Sequence, residues 1–188
     1  MTSFARLAPL SIDMLSDEQR QVYDEIVTGP RGGIAGPFDP WLRSPKMAQL
    51  AQRLGAFCRF GTTLEPVLSE LAILIVAYRH KAQIEWVAHA PIAIAAGLPE
   101  EVAEAIRQGR PASFEDPRMA LVADVATALM QTSRLPDALY ARARAELGEQ
   151  ALVELIGVLG YYSFVALTLN VFQPPMPGGA EKPFPDYS

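Results

Sequence analysis

The sequence predicts an all-α fold, on three observations. Helix punctuation recurs along the whole chain, apolar residues fall at three- and four-residue spacings, and several period-2 runs joined by hairpin turns are nowhere found. Half of the 188 residues are hydrophobic and a fifth are charged, which suits one globular domain spanning 1–188.

The elements follow in order. Ser16 and Gln19 form a capping box ahead of "DEQRQVYDEIV", closed by Gly29-Pro30. Ser44-Pro45 opens a helix that ends near Gly61. Between these two lies "TGPRGGIAGPFDPWLRS" (28–44), a long Gly/Pro-rich loop whose Phe38, Trp41 and Leu42 favour packing over disorder. A helix over about 65–79 follows, with Thr63 as its candidate N-cap, and "RHK" separates it from another over about 82–96. Pro91 lies inside that last pattern and removes a backbone hydrogen bond to Val87, so the helix kinks or ends there. Pro99 and Gly109 bracket a short amphipathic helix, Asp116-Pro117 starts the next, and Pro136 starts one that Gly148 stops. A long apolar helix over about 149–171 precedes the Pro-rich tail 173–188, which cannot be regular helix.

Composition narrows the function classes. A formal charge of −5 with no Lys/Arg cluster argues against nucleic acid as a partner. The run "LIGVLGYYSFVALTL" (155–169) has 15 uncharged residues, short of the roughly 20 that span a bilayer, so no membrane partner is expected. "MTSFARLAPLSIDML" does not read as a secretory signal. Cys58 is the single cysteine, which forbids an intrachain disulfide and fits a cytoplasmic, reducing location.

The chemistry concentrates in "AQIEWVAHA" (82–90). Ala82, Glu85 and His89 share one helix face, at spacings of three and four. One helix earlier, Glu70 is the only charge in "VLSELAILIVAY", where an unpartnered carboxylate would be costly. An antiparallel hairpin puts His89 level with about residue 72, within reach of Glu70. The bland reading of Glu85 and His89 is an exposed pair worth about 0.2–0.5 kcal/mol. The functional reading makes His89 an acid/base, Glu85 its orienter or proton relay, and Glu70 a second carboxylate. Trp86 is a substrate platform or core. Phe38 and Trp41 are candidate lid residues, and Arg31 and Arg43 flank that loop, where they hold a substrate carboxylate or stay solvated. Either Tyr161 or Tyr162 can point a hydroxyl into the pocket. Glu70, Glu85 and His89 are also competent metal ligands, but the Glu-x-x-His spacing of metal bundles is missing, so neither metal nor cofactor is expected.

The segment "SELAILIVAYRHKAQIEWVAHAPIAIAAGLPEEVAEAI" (69–106) resembles the core motif of the carboxymuconolactone decarboxylase-like, or alkylhydroperoxidase D-like, family. A Glu opens an apolar helix, then come E-W-x-x-H and G-L-P-E-E; "GPFDPWLRSP" and "LTLNVFQPPMPGG" resemble its longer members that lack thiols. The resemblance implies a helical bundle built on an antiparallel hairpin, assembled as a homotrimer or hexamer, with a pocket near the hairpin. In the peroxidase branch a C-x-x-C pair precedes the His; Ala82 and Glu85 occupy those slots here, while Glu70 and His89 are retained. The decarboxylase branch keeps E-x-x-x-H, matching Glu85 and His89. The implied function is a cofactor-free lyase or isomerase acting on a small carboxylated or lactone substrate. The alternative is a peroxidase-family chain that has lost its redox thiols and persists as a non-catalytic or metal-binding oligomer.

Overall fold

A computed structural model describes residues 6–186, and among them eight α-helices and no strand are found. The Ser16 capping box forms on both sides: Ser16 Oγ accepts from the Gln19 amide (3.3 Å) and Gln19 Oε1 accepts from the Ser16 amide (3.0 Å). It opens α1 (Asp17–Thr28), which packs on α3 (Pro45–Phe60). The loop between them holds a single helical turn, α2 (Phe38–Trp41).

The centre of the molecule is α4 (Pro66–His80). Every residue from Val67 to Ala77 is buried, because α5 (Gln83–Ala95), α7 (Pro117–Thr132) and α8 (Asp137–Phe172) all pack around it. Such burial explains why this stretch shows no polar face at helical spacing. Its N-cap is Glu65, with Pro66 at the first helical position, and not Thr63. Thr63 is engaged elsewhere: its amide (2.6 Å) and hydroxyl (2.7 Å) both donate to Glu154 Oε2 on α8. The α4–α5 link is two residues long, with Lys81 left-handed at φ 50°. α5 continues through Pro91 to Ala95, so the proline forfeits one hydrogen bond without ending the helix.

α6 (Glu100–Gln108) completes the group. Gly148, at φ 80° and ψ 165°, breaks α8 into two helical parts, as the stop at that glycine predicts. α8 is the one described helix long and apolar enough to cross a membrane by composition, yet 61% of its apolar window is buried within the fold, as befits a core helix. The Pro-rich tail then folds back. Gln83 on α5 clamps it by donating from Nε2 to the Phe184 carbonyl (2.9 Å) and accepting from the Phe184 amide (3.0 Å).

Candidate active site

The α4–α5 hairpin places His89 opposite Glu70. His89 Nδ1 lies 2.7 Å from Glu70 Oε2, and the two side chains are only 8% and 6% exposed. A carboxylate is acceptor-only, so Nδ1–H donates and the tautomer is set, leaving Nε2 as the ring's second nitrogen. Nε2 makes no hydrogen bond among the described residues, and the ring lines a cavity of about 490 Å³.

Glu85 sits one turn earlier on α5 and lines the same cavity. It is 2% exposed, and neither carboxylate oxygen has a hydrogen-bond partner among the described residues. Burial pushes its carboxyl well above the usual carboxylate range, which favours the protonated acid. The structure therefore corrects one expected role: the partner that orients His89 is Glu70 and not Glu85, whose carboxyl stands alone on the same cavity wall. Nor do the three converge as a ligand set, since among the described residues no three of His, Cys, Asp and Glu could hold a metal ion.

The facing wall comes from α8. Tyr161 and Tyr162 both line the cavity, and the Tyr162 ring meets the His89 ring edge-on at 4.9 Å. Burial pushes the Tyr161 hydroxyl up to about 12 against the opposing pull of the Arg31 charge. Burial and then the Glu70 charge raise Tyr162 further. Both phenols thus stay protonated and able to donate. Gly55 on α3 makes room for this wall: a Cβ there would lie 2.0 Å from the Tyr161 hydroxyl and 2.6 Å from Arg31 Nη2.

The loop 28–44 supplies a third wall, including Arg31 and Phe38, with the guanidinium 4.9 Å from the Phe38 ring centroid. Trp41 is not part of it. Its ring turns inward, stacked on Phe164 at 4.7 Å, while Nε1–H donates to Thr168 Oγ1 (3.0 Å). Trp86 is also outside the cavity, packed edge-on against the tail residue Phe184 at 5.3 Å. Trp86 is core and Trp41 an anchor; their size and aromaticity draw them to the interior ahead of the pocket. Arg43 is committed to Asp39, with Nη1 2.9 Å from Oδ2. Cys58 is buried, its thiol pushed up by that burial, and it faces a groove between α3 and α8 apart from the cavity. Sequence reading missed Arg59, whose place in the last turn of α3 suggests only a helix-end charge, and the prolines 174, 175 and 177 that line the mouth.

The state of Glu85 has a measurable consequence. Its folded-state pKa lies above the unfolded value, so the folded chain holds the proton over a window starting near the usual carboxylate pKa. Stability contributed by the acid form is complete below that window and lost as pH rises through it, with a slope of at most about 1.4 kcal/mol per pH unit. Glu85→Gln should remove this slope, so that urea titrations from pH 4 to 8 give a variant that gains on the parent as pH rises. A constant difference across that range would rule out a neutral, buried acid.

No family model matches the sequence, and no curated protein matches it. Solved structures do. The chain aligns over 90% of its length, and 90% of the other's, with an uncharacterized peroxidase-related protein from Silicibacter sp. TM1040, at 15% identity and a TM-score of 0.71. It aligns over 95% of both chains with an alkylhydroperoxidase AhpD core, an uncharacterized peroxidase-related protein from Ralstonia eutropha JMP134, at 14% identity and a TM-score of 0.76. The chain has the all-α fold of the alkylhydroperoxidase AhpD core.

Proposed function

We propose that the protein is a cofactor-free lyase or isomerase of the carboxymuconolactone decarboxylase type, using acid–base chemistry on a carboxylated or lactone substrate. The observation that carries this reading is the pairing of a buried, oriented imidazole with a separate carboxyl group held toward its neutral form on one cavity wall. Two titratable groups in contrasting environments make an acid and a base. His89 Nε2 takes a proton from the carbon next to a carbonyl, and the electron pair passes to the carbonyl oxygen. Glu85 supports that oxygen by donating its hydrogen, and the proton returns to a conjugated carbon. In decarboxylation His89 Nε2 first takes a proton from solvent; the electrons of the breaking C–C bond then follow the same route, CO2 departs, and the protonated ring delivers that proton to carbon, returning to its neutral form. Glu70 holds the ring throughout.

Thiol peroxidase chemistry is disfavoured by the residues themselves. Ala82 and Glu85 stand where redox thiols would be, and Cys58 is buried, protonated and outside the cavity. Self-association into a trimer or hexamer is part of the proposal. Leu50 and Leu54 on α3 are 70% and 52% exposed, and Val153 on the adjoining stretch of α8 is 71% exposed, an apolar face larger than single scattered residues give. A cytoplasmic location fits the lone reduced thiol.

The test is a panel of β-keto and vinylogous carboxylic acids and unsaturated lactones incubated with the protein in D2O. CO2 release or deuterium at carbon is expected for at least one member, unchanged in Cys58→Ser, from a species that light scattering finds larger than a monomer. Turnover lost with Cys58 would restore the thiol reading, and a panel with no turnover would overturn the acid–base one.

A further inference from the structure

The cavity carries an excess of positive charge that the acid–base reading does not use. Arg31 Nε and Nη2 are buried and make no well-directed hydrogen bond among the described residues, although the Tyr161 hydroxyl lies close enough to act on the guanidinium. Arg59 reaches the same cavity from α3, and its nearest aromatic face is Phe60 at 5.1 Å. Neither guanidinium forms an ion pair among the described residues; Arg6, Arg20, Arg79, Arg110 and Arg134 form none either, but those do not line the cavity. The acids nearby cancel them only in part. Glu70 accepts from a neutral His89 and so offers one negative charge against two guanidiniums, Asp39 is paired with Arg43, and Glu85 is held toward its neutral form. A buried guanidinium without a counter-charge is costly, and it marks a place where an anion is welcome.

The remainder of the cavity is apolar. Ile84 on α5, Val165, Leu169 and Phe172 along one face of α8, and Pro174 of the tail run away from the arginine end. At about 490 Å³ the cavity falls in the range of roughly 300–1,000 Å³ that takes drug-sized ligands, more than a compact lactone acid needs.

We propose that the cavity binds an organic monocarboxylate with an extended apolar body, its carboxylate held between Arg31 and Arg59 and its body along the α8 and tail wall. The carboxylate is the matching anion because a guanidinium offers two parallel N–H donors to its two oxygens. The Tyr161 hydroxyl, crowded against the same Gly55 as Arg31, stands by as a further donor. This inference rests on the reading of the cavity as the reaction site and names the substrate class that the site takes; of the two reactions it selects isomerisation, since a carboxylate held by two guanidiniums is not the one that leaves as CO2.

Calorimetric titration of the full chain with unreactive probes tests it: decanoate, 2-naphthoate, 1-decanol, acetate and decyl phosphate. Decanoate or 2-naphthoate should bind at least tenfold more tightly than 1-decanol and acetate, and the better of the two reports whether the body is aliphatic or aromatic. Arg31→Gln and Arg59→Gln should each weaken that binding about ten- to a hundredfold, the loss expected for a charge-assisted hydrogen bond. Arg59 is only half-buried, so its variant keeps the test open if Arg31→Gln fails to fold. Equal affinity for 1-decanol, equal affinity for acetate, tighter binding of decyl phosphate, or undiminished binding by Arg59→Gln would overturn the proposal. Binding does not require turnover. Probe binding without any turnover in the panel would leave this inference standing and remove the acid–base reading; turnover without probe binding would do the reverse.

Discussion

His89→Asn is expected to lower turnover of whichever panel substrate reacts by about 10²–10⁴-fold, the usual contribution of a positioned acid–base group. Asparagine is the informative replacement because its side-chain amide nitrogen lies near the place of Nδ1. It can still donate to Glu70 Oε2, which His89 meets at 2.7 Å, so the buried carboxylate keeps a partner. What disappears is Nε2, the atom assigned to move the proton. His89→Ala is a poorer test. It strands Glu70 in the apolar centre of α4, a loss of about 3–5 kcal/mol when a buried pair is broken, and activity would then fall with the fold. The prediction is read as kcat beside calorimetric binding of decanoate. A large fall in kcat with affinity within about threefold supports the role of His89. Turnover near the parent rate would remove the ring from the chemistry. An equal loss of binding would make it a contact residue instead.

Much of this site was legible because short-range rules and one short connection decide it. Proline at the first helical position opens α3 and α7 and a proline N-cap precedes α8, glycine stops α3 and breaks α8, and Ser16 forms the cap its spacing implies. The two-residue link after His80 fixes the hairpin register, so an acid on α4 and an imidazole on α5 had to meet. The choice between two acids was not legible. Spacing of four on one helix favours Glu85 as the partner of His89, but that pairing is weak. Glu70, buried in an otherwise apolar turn, has no other donor, and the cross-hairpin contact wins. The same burial leaves Glu85 its proton as the alternative to a partner. Trp41, Trp86 and Arg59 fail for a different reason. Whether a large side chain near a pocket faces in or away depends on which helix packs behind it, and Phe164, Thr168 and Phe184 lie far along the chain from the residues they hold.

Trp41→Ala should cost about 3–5 kcal/mol, the range for removing a buried aromatic. Its ring is 2% exposed, stacked on Phe164 and edge-on to Phe38 and Tyr161 at 5.6 and 6.2 Å. The helical turn it belongs to spans only four residues, too short to persist by its own hydrogen bonds, so the loop depends on this anchor for its position. Against a total stability of about 5–15 kcal/mol for a domain of ordinary size, the loss is large. It should also reach the cavity, because Arg31 and Phe38 ride on the same loop, and decanoate affinity should fall alongside the urea midpoint. Trp41→Phe separates the contributions. It keeps an aromatic face on Phe164 and gives up the Nε1–H bond, while the Thr168 hydroxyl still donates to the Phe164 carbonyl at 2.9 Å. The lost bond alone is worth about 1 kcal/mol, so this variant should sit much nearer the parent and retain probe binding. If Trp41→Ala lost no more stability than Trp41→Phe, packing against α8 would not be what holds the loop. If it lost stability but bound decanoate as well as the parent, the wall carrying Arg31 would owe its position to something other than this ring.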